Sequence, residues 1–461
     1  MRPLDSESAF TINVKPNGHA VVLGVLLALL ASSPAVFPQS PAVGEKPYAG
    51  HMFGNLIRHG RILDHPAVQP EHTTRPVSYE LGSLFQLDQD HCLLVASMRE
   101  QGGHDFAVGN DGFVFRNLKE ITPQRAIPIN RLDPNHRLRF GNEKSVLGKF
   151  PASGGFVPLG AKLADGSSHP AAGTGFLFSG SLPFLPDRSE GHPKSGPEDR
   201  PMDFIQLRWD GKSLRITSRA QVKSLAGIPV GRVGLSNFCP QDRGFLCPFG
   251  PDDGSFVVVI RMDWNGEQWQ PTSAGNRFIT AAAPKDEKGI PRVYRYLETE
   301  ASILHFDDRY LVHTRGRDPK GRVYTSQDGL NYMFLFDHPN HTVPQVLNQG
   351  LDGSLYLATN PGPGWLRNPL LAYALRDQRF VAPVVIHDEQ NIRGDKGPEV
   401  PFCDHAKSAN VLLEKRWHHF VLYRVCDLRE TNGEGAPPRP QTGLYLAELE
   451  YGAVTHAPFK F

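Results

Sequence analysis

The sequence predicts an all-β protein, a β-propeller with six blades favoured and four antiparallel strands in each. Three observations predict it. The part beyond the N-terminal run lacks sustained 3.6-residue periodicity and shows short apolar runs closed by Gly, Asp, Asn or Pro, the pattern of strands and tight turns. These strands group in fours. The turns between third and fourth strands are expected near residues 111, 210, 265, 328, 377 and 451. A four-stranded unit is too small to bury its own faces, so such units stack around an axis.

From the N-terminus, Lys15 and His19 precede the apolar run Ala20–Ala31, and small residues including Ser33 and Ala35 follow. The run is shorter than the ~20 residues needed to cross a bilayer. Residues 1–35 therefore read as a signal peptide, and the protein is expected to be secreted or periplasmic, with no stable membrane insertion after processing. Residues 36–74 read as an extension packing on the propeller, which fills 75–461.

Within that span, residues 204–216 give a strand, a Trp-Asp-Gly turn and a strand. Residues 255–270 do the same through Trp-Asn-Gly. Strands are expected at "ASILHF" and "YLVHT" about a turn at Asp307-Asp308-Arg309, then at "VYTS" and "YMFLF". "VPQVLNQ", "LYLAT" and a hairpin from Leu370 through Phe380 form the next unit. "SANVLLE", "HHFVLYRV", "LYLAELE" and "VTHAPF" form the last. The interval from 111 to 210 is nearly twice the others. A Pro- and charge-rich stretch, 182–203, reads as an inserted loop there. A seventh blade around "AKLADGSS" is the alternative account.

Composition narrows the function. The formal net charge of +1 argues against nucleic-acid binding, which calls for a strongly basic face. Gly 45 and Pro 40 suit a turn-rich chain. Of five cysteines, Cys239 and Cys247 flank one expected turn and Cys403 and Cys426 another. Each pair faces across a hairpin where a disulfide or two thiols would fit. Cys92 lies in an apolar strand and reads as a buried thiol. No His pair has i, i+4 spacing and no Cys-x-x-Cys occurs, so no metal or cofactor is expected.

The stretch Val323–Phe334 carries Ser326, Asp328-Gly329 and Tyr332 in fixed order. Residues 107–117 repeat Asp-Gly-x-x-aromatic, with Gly109 in place of the Ser. This resembles the Asp-box of sialidase-type propellers, in which the Asp ties down the turn between outer strands, with one residue fewer before the aromatic here. The similarity to the sialidase superfamily extends patchily over most of the mature chain. On that resemblance, residues 93–105 match the first-blade stretch, making Asp105 a general acid/base candidate and Arg99 its neighbour. Residues 298–316 match the stretch in which a Glu heads an innermost strand and an Arg ends the next. Here these are Glu300 and Arg315, which a hairpin brings to one end of a blade. Residues 358–375 resemble the family's Asn-Pro stretch, with Arg367 following.

The resemblance implies a glycan substrate whose carboxylate is clamped by arginines, with Arg99, Arg315 and Arg367 as the binding set. A guanidinium offers a permanently charged planar fork suited to a carboxylate. The family's first Arg has a weak counterpart in Arg75. Its Tyr nucleophile has none: Lys407 or its neighbours stand there, with Asp404 and His405 close by and Tyr423 on the next strand. The catalytic candidates are accordingly Asp105, Glu300, Asp404 and His405. An acid/base pair activating water suffices for inverting hydrolysis. The alternatives are a polysaccharide lyase using His104 or His405 as base, and a non-catalytic glycan or protein binder. A monomer is expected.

Overall fold

The structure is a computed structural model. It describes residues 55–461 apart from 71–72, 74–75, 101–106, 132–136, 141–142, 185–200, 252–255, 280–299, 316–319, 340–342, 362–366, 389–401, 427–441 and 452–453. All described residues fall in the compact unit Tyr48–Phe461.

Six antiparallel sheets follow one another along the chain. Blade 1 comprises Val77–Gln86, Cys92–Glu100, Ala107–Phe115 and Ile127–Arg131, and blade 2 Ser153–Val157, Thr174–Ser179, Met202–Trp209 and Leu214–Val222. Blade 3 comprises Cys239–Gln241, Gly244–Gly250, Phe256–Trp264 and Trp269–Ile279. Blade 4 comprises Ala301–Phe306, Arg309–Thr314, Lys320–Ser326 and Met333–Pro339. Blade 5 comprises Val346–Gln349, Leu355–Thr359, Leu370–Arg376 and Arg379–His387. Blade 6 takes Phe402–Leu413, Arg416–Cys426 and Gly443–Glu450. Its fourth strand is Asn55–Leu63, antiparallel to Gly443–Glu450. The last expected strand, "VTHAPF", is therefore corrected. Residues 454–459 are not strand, because the edge they would cover is already paired with the N-terminal segment.

The apolar core is distributed between blades. One buried cluster joins blades 1 and 6, and others join 1 and 2, 2 and 3, 3 and 4, 4 and 5, and 5 and 6. The inner strands of each sheet bury both faces against neighbouring blades and read as continuous apolar runs, whereas outer strands such as Leu214–Val222 and Met333–Pro339 are largely exposed. The contact between blades 2 and 3 is aromatic: Phe176 meets Phe204, Phe238, Phe245 and Trp269 at centroid distances of 6.1, 5.7, 5.7 and 5.1 Å. Gly155 permits it, since a Cβ there would lie 2.7 Å from the Phe245 ring.

Turn chemistry follows the sequence. Asp307-Asp308, Asp377-Gln378 and Glu414-Lys415 all have positive φ, the two-residue turn that matches strand twist. At Asp328, Oδ1 accepts from the backbone N–H groups of Leu330 and Asn331 at 2.8 and 2.7 Å and from Ser326 Oγ at 2.8 Å. Asp210 and Asn265 tie the corresponding turns of blades 2 and 3 in the same way.

Two further readings are corrected. Asp111 is not in a turn. It lies inside the strand Ala107–Phe115, fully buried, where Arg131 reaches it through Nε and Nη2 at 2.9 and 2.8 Å and Tyr79 Oη donates at 2.6 Å. The stretch around 161–168 is no seventh blade but a loop joining the first two strands of blade 2. The long interval holds extra strands, Arg137–Phe140, Glu143–Lys149 and Ser181–Phe184, which extend the sheet of blade 1. All five cysteines are buried thiols and no disulfide forms. Cys239 opposes Leu246 and Cys403 opposes Val425, so Cys247 and Cys426 sit one residue off register and point to the opposite faces.

Candidate functional site

In an up-and-down blade, the start of the first strand and the end of the second lie at the same end. Arg315 follows the strand Arg309–Thr314 and Glu300 precedes Ala301–Phe306, and the two form an ion pair. Blade 6 repeats the geometry one step further in. Asp404 near the start of its first strand faces Arg424 near the end of its second. Arg424 Nε donates to Asp404 Oδ1 at 2.5 Å and Nη2 to Oδ2 at 3.2 Å. From the loop after the second strand of blade 5, Arg367 Nη1 also donates to Oδ2, at 2.5 Å.

The cluster continues into blade 1. Arg424 Nη1 lies 3.4 Å from Glu80 Oε2, and Arg99 Nε lies 3.9 Å from the same oxygen. Ser78 Oγ donates to Glu80 Oε1 at 3.2 Å. Both carboxylates sit at interruptions of strand register, between Tyr79 and Leu81 and between Asp404 and Lys407. Such bulges re-aim side chains out of the regular alternation. His405, inside the second bulge, has φ 54, an uncommon conformation for a residue other than glycine. Its Nδ1 lies 2.9 Å from Asp404 Oδ1.

Electrostatics couple these groups. Burial alone raises the Asp404 carboxyl, but Arg424, His405 and Arg367 hold it well below the usual carboxylate range. Burial likewise opposes ionisation of Glu300, and the charges of Arg315, His405 and Arg232 bring it below its ordinary value. Burial lowers His405, partly offset by Asp404 and Glu300. The imidazole is thus held below its ordinary value while it feels the charges of two carboxylates, Asp404 and Glu300.

Of the expected site residues, the structure brings Arg99, Arg367, Asp404 and His405 together with Glu300 and Arg315 at one end of the axis. Asp105, with His104 and Arg75, lies outside the described residues. Tyr423 is turned away into the contact between blades 5 and 6, its hydroxyl 3.0 Å from His387 Nδ1. Lys407 lies deeper, its Nζ donating to Ser83 Oγ and Ser153 Oγ at 2.7 and 3.0 Å. Glu80 and Arg424 were not singled out from the sequence. The available signal was a charge inside an apolar strand, which is almost never buried without a partner. Among the described residues, no group of three or more His, Cys, Asp or Glu side chains is placed to hold a metal.

The fold is similar to that of solved sialidases. Trypanosoma rangeli sialidase aligns at a TM-score of 0.51 and 10% identity, over 85% of this chain and 59% of that one. The same enzyme in complex with 2,3-difluorosialic acid, a covalent intermediate, gives 0.52 and 10%, over 85% and 58%. A point mutant of NanB sialidase from Streptococcus pneumoniae gives 0.50 and 10%, over 89% and 72%. The chain spans less than two thirds of the T. rangeli enzyme. At this identity the likeness concerns the fold. No family model matches the chain, and no curated protein matches it.

Proposed function

We propose that the protein is an exported, monomeric, sialidase-like glycoside hydrolase acting on a glycan that carries an acidic sugar. The observation that carries this reading is the Asp404–His405 contact of 2.9 Å at the end of the axis where Arg315 and Arg367 also lie. In this reading the arginines hold the substrate carboxylate and His405 is the general base that activates water. Asp404 is enclosed by two guanidiniums and stays ionised, so it fixes Arg367 and acts on His405 through its charge rather than passing protons. Glu300 sets Arg315 in the same way. Asp105 supplies the acid, and water rather than a tyrosine attacks, as in inverting hydrolysis. Shared fold alone would be weak support, because one scaffold hosts many chemistries.

A neutral imidazole beside arginines also suits a lyase, in which an arginine neutralises a uronate carboxylate and the base removes the adjacent C–H proton. One assay separates the readings. The protein and its His405→Ala, Arg315→Ala and Asp105→Ala variants are incubated with sialylated and uronate-containing glycans. Reducing-end release and the ultraviolet absorbance of an unsaturated uronate are followed together. Hydrolysis without absorbance, lost at least about 100-fold in each variant, is expected. Absorbance would replace the hydrolase with the lyase. Binding on a glycan array without product, or undiminished turnover in His405→Ala, would sink both.

A further inference from the structure

We propose that the cavity at the other end of the axis is a second, independent binding site, built for a neutral, hydroxyl-rich small molecule such as a mono- or disaccharide. The first strands of the blades run from the arginine cluster toward this end. Their far portions line a space of about 430 Å³, together with residues 456–459. That volume falls in the roughly 300–1,000 Å³ range of small-molecule sites. Its floor is apolar and buried, with Leu84, Phe245 and Leu347, while His305 and His456 at its mouth are exposed.

Charge sets the class of ligand. Among the described residues lining the cavity there is no Lys, Arg or Glu, and Asp242 is the one acid. An anion therefore meets no permanent cation here, only the imidazoles of His305 and His456, in contrast to the arginines of the opposite end. Uncharged amides are present instead, and two of them carry buried atoms that no group among the described residues satisfies. Asn237 Oδ1 is an acceptor without a donor, although its Nδ2 donates to the Leu84 carbonyl at 2.9 Å. Gln349 Nε2 is a donor without an acceptor. Both amides line the cavity, but these two atoms are covered by protein, so a ligand pairs with them only by turning the amides toward it. A hydroxyl is both donor and acceptor and meets either. The tilted pair His305 and Tyr310, with ring centroids 4.8 Å apart, and Phe459 add aromatic surface. The C–H faces of a sugar pack on such electron-rich ring faces.

The test uses the full chain with lactose, N-acetylglucosamine and mannose as neutral probes and glucuronate as the acidic control, by saturation-transfer NMR and calorimetry. Saturable binding of at least one neutral sugar is expected, unchanged in Arg315→Ala. Ala457→Trp, which adds bulk at an exposed lining position, should weaken it at least tenfold, and Gln349→Leu should weaken it without filling the mouth. Thermal unfolding checks that each variant is folded, and Ala457→Trp suffices if Gln349→Leu is not. No saturable binding, binding indifferent to Ala457→Trp, or binding abolished by Arg315→Ala would overturn the proposal. The first two outcomes would leave water as the cavity's content. The assay does not depend on turnover, so its failure is separable from failure of the hydrolase reading.

Discussion

Arg424 and Asp404 face each other in register across the first two strands of blade 6, and both side chains are enclosed, at 1% and 0% exposure. Arg424 also reaches Glu80 of blade 1, so the seam where the ring closes carries a charged link in addition to the strand pairing of Asn55–Leu63. A buried pair need not add net stability, yet removing one member leaves the other buried and uncompensated.

Arg424→Met should therefore lower the unfolding free energy by about 3–5 kcal/mol. Arg424→Lys should recover only part of the loss, because an ammonium cannot reproduce the fork that spans both oxygens of Asp404. Urea denaturation measures both. An unchanged midpoint in Arg424→Met would show that Arg367 alone suffices for Asp404.

Lys407 behaves differently. Its Nζ has two serine hydroxyls, and among the described residues no carboxylate lies within ion-pair distance. Burial pushes the ammonium down to about 7 from 10.5. Between those values the unfolded chain holds the proton and the folded chain does not, so stability rises with pH through that window. Below about 7 both states are charged and the folded state carries the full desolvation cost. Lys407→Met should raise stability at pH 6 by on the order of a few kcal/mol and remove the rise between pH 7 and 10. A pH profile of the melting temperature identical in the two proteins would contradict this assignment.

Legibility in the sequence followed the range of the interactions. The Asp328 turn was readable because its donors lie within three residues, and Glu300 with Arg315 because one hairpin relates them. Asp111-Gly112 has the same local signature, but its partners, Tyr79 and Arg131, come from other strands and hold it inside the sheet. The fourth strand of blade 6 was misplaced for the same reason. Closure by residues 55–63 pairs segments nearly four hundred positions apart, and no local pattern distinguishes that edge from 454–459. At the site, Arg424 reads locally as part of an apolar strand. Its role depends on a contact with Glu80 across the closing seam that only the assembled blades create.

Buried histidines set the acid limit. His419 Nδ1 donates to Asn410 Oδ1 at 2.5 Å and its Nε2 accepts from the Tyr356 hydroxyl at 2.6 Å, which satisfies the neutral ring completely. Burial lowers it to about 3, and lowers His338, 3.0 Å from His313, to about 4. Below the ordinary value of 6.5 the unfolded chain takes up protons that these rings refuse, so stability falls as pH drops toward 4. The melting temperature should decline over pH 6.5 to 4, and His419→Gln should flatten part of the decline. A flat profile would mean that these rings take up protons in place.

A larger loss is expected from the apolar contact between blades than from a rim turn. Phe176 is fully buried among Phe204, Phe238, Phe245 and Trp269, rings drawn from both blades 2 and 3. Phe176→Ala opens a cavity that rigid neighbouring sheets cannot collapse into, and should cost about 3–5 kcal/mol. Asp328→Ala removes charge-assisted bonds at an exposed turn, where water replaces much of what is lost, and should cost about 1–2 kcal/mol. Because the apolar clusters join only neighbouring blades, the Phe176 defect should raise hydrogen exchange in blades 2 and 3 before blade 5. Uniform acceleration across all six would show instead that the ring unfolds as one unit.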